Sequence, residues 1–284
     1  NDRESLTKLI ENINYEIKGI NSEISIIVIN DASSQQIVDH YQNTENINSI
    51  EIINMKENRG HARCIASGLK YIFEKKEFDY VIPMDGDGED RCEELNLLFE
   101  KSKENPLKTV TLDRIKRSEG FFFKLLYQCH KILTYVFTGK LIKFGNYSCL
   151  PKDHAKKLAK EASTWSSFSG SVTKVIVDRV SAPSIRGQRY FGPSKMNLFN
   201  LLIHSFSIIA VFKVSVVFRS ILFLFFYLFF VFNNLSVITL FPVLVIIIFL
   251  LLIFKVSSRE NIEELNNSLE NIGSIEVLSD LNSR

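Results

Sequence analysis

Apolar residues in the first two hundred positions occur in two alternating textures. Short runs rich in β-branched residues, at 24–29 (ISIIVI), 50–54 (IEIIN), 78–84 (FDYVIPM) and 109–112 (TVTL), read as strands. Between the second and third runs, Ala62, Ile65, Ala66, Leu69 and Ile72 fall at i, i+3, i+4, i+7 and i+10, while Arg63, Ser67 and Lys70 lie off that stripe. This spacing predicts an amphipathic helix. Strands alternating with such helices predict an α/β fold on a mostly parallel sheet, flanked by helices and joined by right-handed crossovers. Ligands on such sheets bind at the carboxyl ends of the strands, so chemistry is expected there.

The texture then changes. Residues 220–254 contain no Asp, Glu, Lys or Arg. That run is too long for one span of about 20 residues and suits two spans, 214–232 and 235–254, with Asn233-Asn234 as a hydrated turn. Arg219 is close enough to the end of the first span to snorkel. Lys213, Arg219, Lys255 and Arg259 all flank the same side of this transmembrane hairpin, which predicts a cytoplasmic N-terminal part and tail. Residues 196–213 read as an interfacial helix leading into the bilayer. A buried hairpin in a soluble core is the competing reading. In the tail, 255–284, the spacing of Ile262, Leu265, Leu269 and Ile272 suggests a short helix, for self-association into a homo-oligomer or simply solvated.

Composition sharpens this division. Thirteen of the 23 Phe lie between Phe199 and Phe254, so the modest 46% hydrophobic content averages two unlike parts. The formal net charge is +2, which gives no electrostatic signature of a nucleic-acid binder. Between Lys108 and Lys160, however, twelve basic residues face three acidic ones, and an anionic partner is expected there. Cys64, Cys92, Cys129 and Cys149 form no C-x-x-C pair and read as reduced packing thiols.

Four clusters carry candidate chemistry. Asn30-Asp31-Ala-Ser-Ser follows the first strand, where Asp31 is placed to accept from a base or sugar, or a serine caps a helix. Asn58-Arg59-Gly60-His61-Ala-Arg63 opens the amphipathic helix and offers oriented N–H groups and positive charge to a phosphate. Asp85-Gly-Asp87-Gly-Glu89-Asp90 places four acids within six positions, an arrangement that is unstable unless a cation shares the site. Oxygen ligands on a Gly-containing turn fit Mg²⁺ or Mn²⁺ held jointly with substrate phosphates. Arg186-Gly-Gln-Arg189-Tyr-Phe-Gly-Pro-Ser194-Lys195 is suited to hold a diphosphate or lipid phosphate, or to anchor the chain to anionic lipids.

In this order, the Val-Ile-Asn-Asp31-Ala-Ser, Asn58-Arg-Gly60, Met84-Asp-Gly-Asp87-Gly-Glu-Asp90 and Arg189-Tyr-Phe-Gly192-Pro-Ser-Lys195 motifs resemble those of family 2 glycosyltransferases. More narrowly, the sequence is similar to the polyprenyl-phosphate (dolichyl- or undecaprenyl-phosphate) glycosyltransferases, whose bacterial members end in a membrane hairpin. The resemblance implies a GT-A domain over 1–195, a nucleotide-sugar donor, inversion at the anomeric carbon and a polyprenyl phosphate acceptor. It further implies a multi-pass protein of the bacterial inner membrane serving cell-envelope polysaccharide. It carries Asp2, Asp31, Arg63 and Asp85 over as donor-binding residues, Asp85 and Asp87 as catalytic, and Asp87 with Glu89 as metal ligands. Arg186, Arg189, Ser194 and Lys195 become phosphate or acceptor ligands. Two departures bear on this reading. The family's first strand, ending in a Pro-x-Tyr-Asn-Glu type sequence, has only Asn1-Asp2 as its counterpart. Where hydroxyl-using relatives carry an acidic base, Phe144-Gly-Asn146-Tyr-Ser has none, which favours an acceptor that is already ionised. Transfer to a hydroxyl of a lipid-linked saccharide and a catalytically silent scaffold are the alternatives.

Overall fold

The computed structural model describes residues 2–35, 41, 44–116, 121–193 and 198–280. In chain order the elements are α1 (Arg3–Glu16), β1 (Ser25–Asn30), β2 (Ser49–Met55), α2 (His61–Lys75), β3 (Tyr80–Val81), α3 (Leu95–Glu104), β4 (Thr109–Lys116), α4 (Phe121–Thr138) and β5 (Phe144–Pro151). They continue with α5 (Lys152–Ala159), α6 (Phe168–Val175), β6 (Arg179–Ile185), α7 (Leu198–Ala210), α8 (Lys213–Val231), α9 (Val237–Ser257), α10 (Ile262–Asn266) and β7 (Ile272–Asp280).

All four runs with strand texture contribute strands, and the amphipathic stripe forms α2. The α/β class holds, but the sheet is mixed rather than mostly parallel. Strands are ordered β1-β2-β7 in one sheet and β3-β5-β4-β6 in the other. Only β1·β2 and β4·β6 are parallel, whereas β2·β7, β3·β5 and β4·β5 are antiparallel. The antiparallel members come from β5 and β7, two segments outside the runs that predicted strands.

Two main cores cover the sheets. Leu9, Ile10 and Ile13 of α1 pack with Leu95 and Leu98 of α3 against Ile50, Val110 and Leu112. Leu69 of α2, Leu158 of α5 and Phe168 and Val172 of α6 pack with Leu150 and with Ile208, Val211 and Phe212 around the end of α7. Burying each such side chain stabilises the fold by about 1.5–3 kcal/mol. The helix expected at the membrane interface therefore docks on the α/β layers at its C-terminal end. It also meets the hairpin, since Phe206 packs edge-on against Phe249, with centroids 6.0 Å apart, and Phe137 of α4 lies tilted against the same ring at 4.4 Å.

Helices α8 and α9 are long and apolar enough to cross a membrane, at Lys213–Asn234 and Val237–Asn266, with little of either buried inside the molecule. A turn at Phe232–Asn234 joins them, and Ser236 with Thr239 forms a capping box at the start of α9. The Arg219 guanidinium donates to the Val136 carbonyl at the end of α4.

The tail departs from expectation. Instead of one free helix, α10 stops at Asn266 and β7 pairs antiparallel along the whole of β2. Leu265 is fully buried against Ala66 and Trp165. Gly273 ends the helical period, and the alternation of Ile275 and Val277 with Ser274 and Glu276 then serves a strand, on which Asn54 donates to Glu276 at 2.5 Å.

Candidate active site

Three strand ends and one distant loop meet at the start of α2. After β1, Asp31 accepts from the Arg59 and Gly60 N–H groups, 2.8 Å each, one through each carboxylate oxygen. Gly60 takes φ +91°, a left-handed conformation costly for a residue with Cβ, and so turns the chain into the helix. After β3, the acidic turn spans Asp85 to Asp90. His61, the first residue of α2, lies between these two strand ends: its Nε2 is 2.7 Å from Asn146 Nδ2 and 3.3 Å from Asp85 Oδ1. Asn146 also donates to Asp85 Oδ1, at 3.3 Å.

The four acids are not equivalent. Asp90 is only 4% exposed, and its Oδ2 accepts the Asp85 N–H at 3.0 Å. Burial, reinforced by the Asp85 charge, pushes its pKa up to about 8 despite Arg114, whose Nη2 is 3.7 Å from Asp90 Oδ1. Burial acts on Asp85 in the same direction, but His61, Arg114 and the Asn146 amide outweigh it and hold that carboxyl below its usual range.

Asp87 and Glu89 instead face the loop that follows β6. Arg189 donates to Asp87 Oδ2 at 2.5 Å and to Asp2, and Arg186 is ion-paired with Glu89. Main-chain bonds lock the same surfaces together, from Gly187 N–H to the Glu89 carbonyl (2.9 Å) and from Tyr190 N–H to the Asp87 carbonyl (3.0 Å). At Gly88, with φ +89°, a Cβ would lie 2.6 Å from the Tyr190 ring, so this position requires glycine. The cation that the acidic turn calls for is thus supplied in part by the protein's own arginines.

A continuous cavity of about 1970 Å³ connects this turn with α7. Beyond Asp85 its lining includes Arg114, His130, Asn200, Ile203 and His204. His204 lines the same cavity from α7 and is exposed to it.

The model of the family described as Glycosyl transferase family 2 matches residues 1–163, more than half of the chain. The chain belongs to glycosyl transferase family 2. A family 2 glycosyltransferase transfers a sugar from an activated donor to an acceptor, and the matched segment contains Asp31, His61, the acidic turn and Asn146.

The structure brings Asp2, Asp85, Asp87, Glu89, Arg186 and Arg189 together and places Asp31 one turn of chain away. It does not bring Arg63 to the cavity mouth: its guanidinium lies over the Trp165 ring, 5.4 Å from the centroid, and 3.7 Å from Glu264 of the tail helix. Ser194 and Lys195 lie outside the described residues. Sequence reading missed His61, Arg114, His130 and His204 as site residues. His61 was inside a motif already read for its backbone, and the other three carry no local pattern, since the fold alone assembles them.

Asp87 and Glu89 supply hard oxygen donors, and among the described residues no three His, Cys, Asp or Glu side chains converge as a metal cage. That donor set fits Mg²⁺ or Mn²⁺ held by one or two carboxylates and completed by substrate phosphates.

Proposed function

We propose that this family 2 glycosyltransferase moves a sugar from a nucleotide-sugar donor to the phosphate of a membrane-held polyprenyl lipid, inverting the anomeric centre. The observation that carries this reading is the cavity, which runs from the acidic turn to the helix leading into the apolar hairpin. On this reading α8 and α9 anchor the protein in the membrane with the catalytic layers and tail on the cytoplasmic side. A hydrocarbon chain enters beside α7, and its head group reaches Asp85 past Arg114 and His130.

Asp31, Asp85 and Asp2 bind and orient the donor, and Arg63 stays with the tail. Asp87 and Glu89 would hold the divalent ion, which neutralises charge on the leaving nucleoside diphosphate when bound. Arg186 and Arg189 exchange their carboxylate partners for phosphate oxygens, a substitution that retains charge-assisted bonds on both guanidinium groups. Arg114 positions the attacking phosphate, which is ionised near pH 7 and requires no base. Ser194 and Lys195 complete the phosphate contacts from the same loop.

His61 favours a second reading. A histidine beside Asp85 is placed to serve as general base for a hydroxyl acceptor, such as a lipid-linked saccharide. Sugar transfer by detergent-solubilised protein to polyprenyl phosphate, run beside a lipid-linked disaccharide, separates the two. Labelled lipid-phosphate product, retained in His61→Gln, supports the first reading. Product on the saccharide alone, lost in His61→Gln, replaces it with the second.

A further inference from the structure

The cavity carries polar groups beside the hairpin as well as at the acidic turn. Ser166 and Ser169, around the start of α6, line it together with Ser207 of α7 and with Arg259, which follows α9. Helix packing sets these elements side by side. Val211, one turn beyond Ser207, lies so close to α6 that a Cβ at Gly170 would meet its Cγ2 at 2.9 Å, and Ile253 near the end of α9 is buried with Ile209 and Ala210. On the other side Arg259 is a neighbour of Arg63, whose guanidinium covers the ring of Trp165, the residue before Ser166.

What these groups share is hydrogen-bonding capacity that the fold leaves unused. Ser166 and Ser207 are only 4% and 2% exposed, and among the described residues neither Oγ has a hydrogen-bond partner. A buried hydroxyl left unpaired costs about 1–3 kcal/mol. The Ser167 hydroxyl caps α6 by accepting from the Gly170 N–H at 3.3 Å, so the Phe168 and Ser169 N–H groups of the first turn have no acceptor among the described residues. Arg259 adds charge, and the nearby carboxylates are already engaged. Glu264 accepts from Trp165 Nε1 at 2.8 Å and lies 3.7 Å from Arg63, while Glu260 is paired with Lys213 at 3.5 Å and does not line the cavity. Burial and the Arg259 charge together lower the Arg63 pKa from its ordinary value, against the pull of Glu264. Two hydroxyls, two N–H groups and one guanidinium of a crowded positive pair are a set of donors, which suits an anion with several acceptor oxygens.

We propose that this end of the cavity binds the phosphate of an anionic phospholipid that is held and not consumed, with Arg259 supplying the charge and the Ser166 and Ser207 hydroxyls and the first-turn N–H groups of α6 taking its oxygens. Position selects the source. α8 starts at Lys213 and α9 ends at Ser257, so Arg259 and the end of α7 lie where both apolar helices leave the α/β layers, the level of the head groups when the hairpin spans a bilayer. Ser207 is three residues beyond His204, which places this phosphate about 4.5 Å further along α7 than the part of the cavity that reaches Asp85. The lipid source rests on the membrane reading of the hairpin given above. The anion site rests on its donors and on no step of sugar transfer.

Trp165 is the only tryptophan in the chain, and its place beside Ser166 and under Arg63 makes it a reporter for the site. Its fluorescence is followed in the detergent-solubilised full chain, with no sugar donor or acceptor, during titration with short-chain phosphatidylglycerol, the matching phosphatidylcholine and inorganic phosphate. Phosphatidylglycerol is expected to change the emission saturably, with inorganic phosphate competing only at much higher concentration. Arg259→Gln should weaken the apparent affinity at least about tenfold, and the exposed Lys255→Gln less than about twofold. Ser166→Ala should weaken it about threefold or more, so an Arg259 variant with a lowered Tm does not decide the matter. Three results would overturn the proposal: equal response to phosphatidylcholine, equal loss in Arg259→Gln and Lys255→Gln, which reduces the effect to surface attraction, or saturation by inorganic phosphate without competition from phosphatidylglycerol, which assigns the site to a free anion. Labelled transfer to polyprenyl phosphate is read in a separate assay, so the lipid site and the proposed reaction fail independently.

Discussion

Asp85 and Asp90 lie on the inner side of the turn after β3 and Asp87 and Glu89 on its outer side, and the two pairs are neutralised by different means. The inner pair is settled within the fold, by a proton held on Asp90, by Arg114 from β4 and by His61 from α2. The outer pair is held by two arginines on a loop about a hundred residues further along the chain. A buried carboxylate with fixed partners is part of the structure and cannot be exchanged without cost. A carboxylate facing arginines on a loop can trade partners, and a divalent ion with two phosphates offers the same charges in another arrangement. The acidic turn therefore serves two purposes: Asp90 sets its geometry, Asp85 is fixed by the fold while it lines the cavity, and the outer pair faces arginines that can exchange for ligands.

The strongest way to break this contrast is to remove the inner cation. Arg114→Leu should destabilise the protein by about 3–5 kcal/mol, because it takes the guanidinium away from the ionised Asp85 carboxylate beside protonated Asp90. Adding Asp85→Asn should restore part of that loss. Thermal denaturation of the single and double variants checks both, and equal stability of Arg114→Leu and the parent would deny the inner pair its structural role. Asp87→Asn should do the opposite, lowering transfer at least about a hundredfold while Tm falls less than in Arg114→Leu, since Arg189 loses one ion pair but keeps Asp2. A parallel metal titration that still saturates with undiminished turnover would remove Asp87 from metal binding. Arg189→Lys keeps the charge and loses the planar fork, and should lower turnover about tenfold with membrane flotation unchanged. Equal turnover would make the loop an electrostatic anchor only.

The smallest signal concerns the proton itself. Native Asp90 stays protonated up to about pH 8, whereas in the unfolded chain it ionises near 4. Between those values the native state binds more protons, so stability falls as pH rises from about 4 towards 8. In EDTA, Tm measured across this window should decline less steeply for Asp90→Asn than for the parent. Parallel slopes would show that Asp90 is ionised in the fold.

Much of this was legible in the chain because it is local. The β-branched runs, the α2 stripe and the charge-free hairpin each declare themselves within a window of ten to forty residues, and the acidic turn declares its need for positive charge. The sequence did not show which cation answers, because Arg114, Arg186 and Arg189 reach the turn only through β4 and the loop after β6. His204 was hidden for a related reason: with Asn200, Ser205 and Ser207 in a mainly apolar helix, it looks interfacial until that helix is docked. The tail was misread because Ile262, Leu265, Leu269 and Ile272 satisfy a helical period by coincidence. The first two belong to α10, while Ile272 opens a strand whose partner β2 is more than two hundred residues away.

That pairing has a consequence for how the molecule is made. β2 leaves the ribosome well before β7, with both long apolar helices between them. The sheet containing β1 and β2 therefore gains its third strand only after the hairpin has emerged. Contacts this distant in sequence form slowly, and a waiting apolar edge is exposed to wrong partners meanwhile. Insertion of α8 and α9 into a bilayer would return α10 and β7 to the side where β2 waits, because an even number of crossings brings the chain back. With the proposed anchoring, the hairpin would thereby act during synthesis as a timing device, with closure of the α/β domain following insertion rather than preceding it.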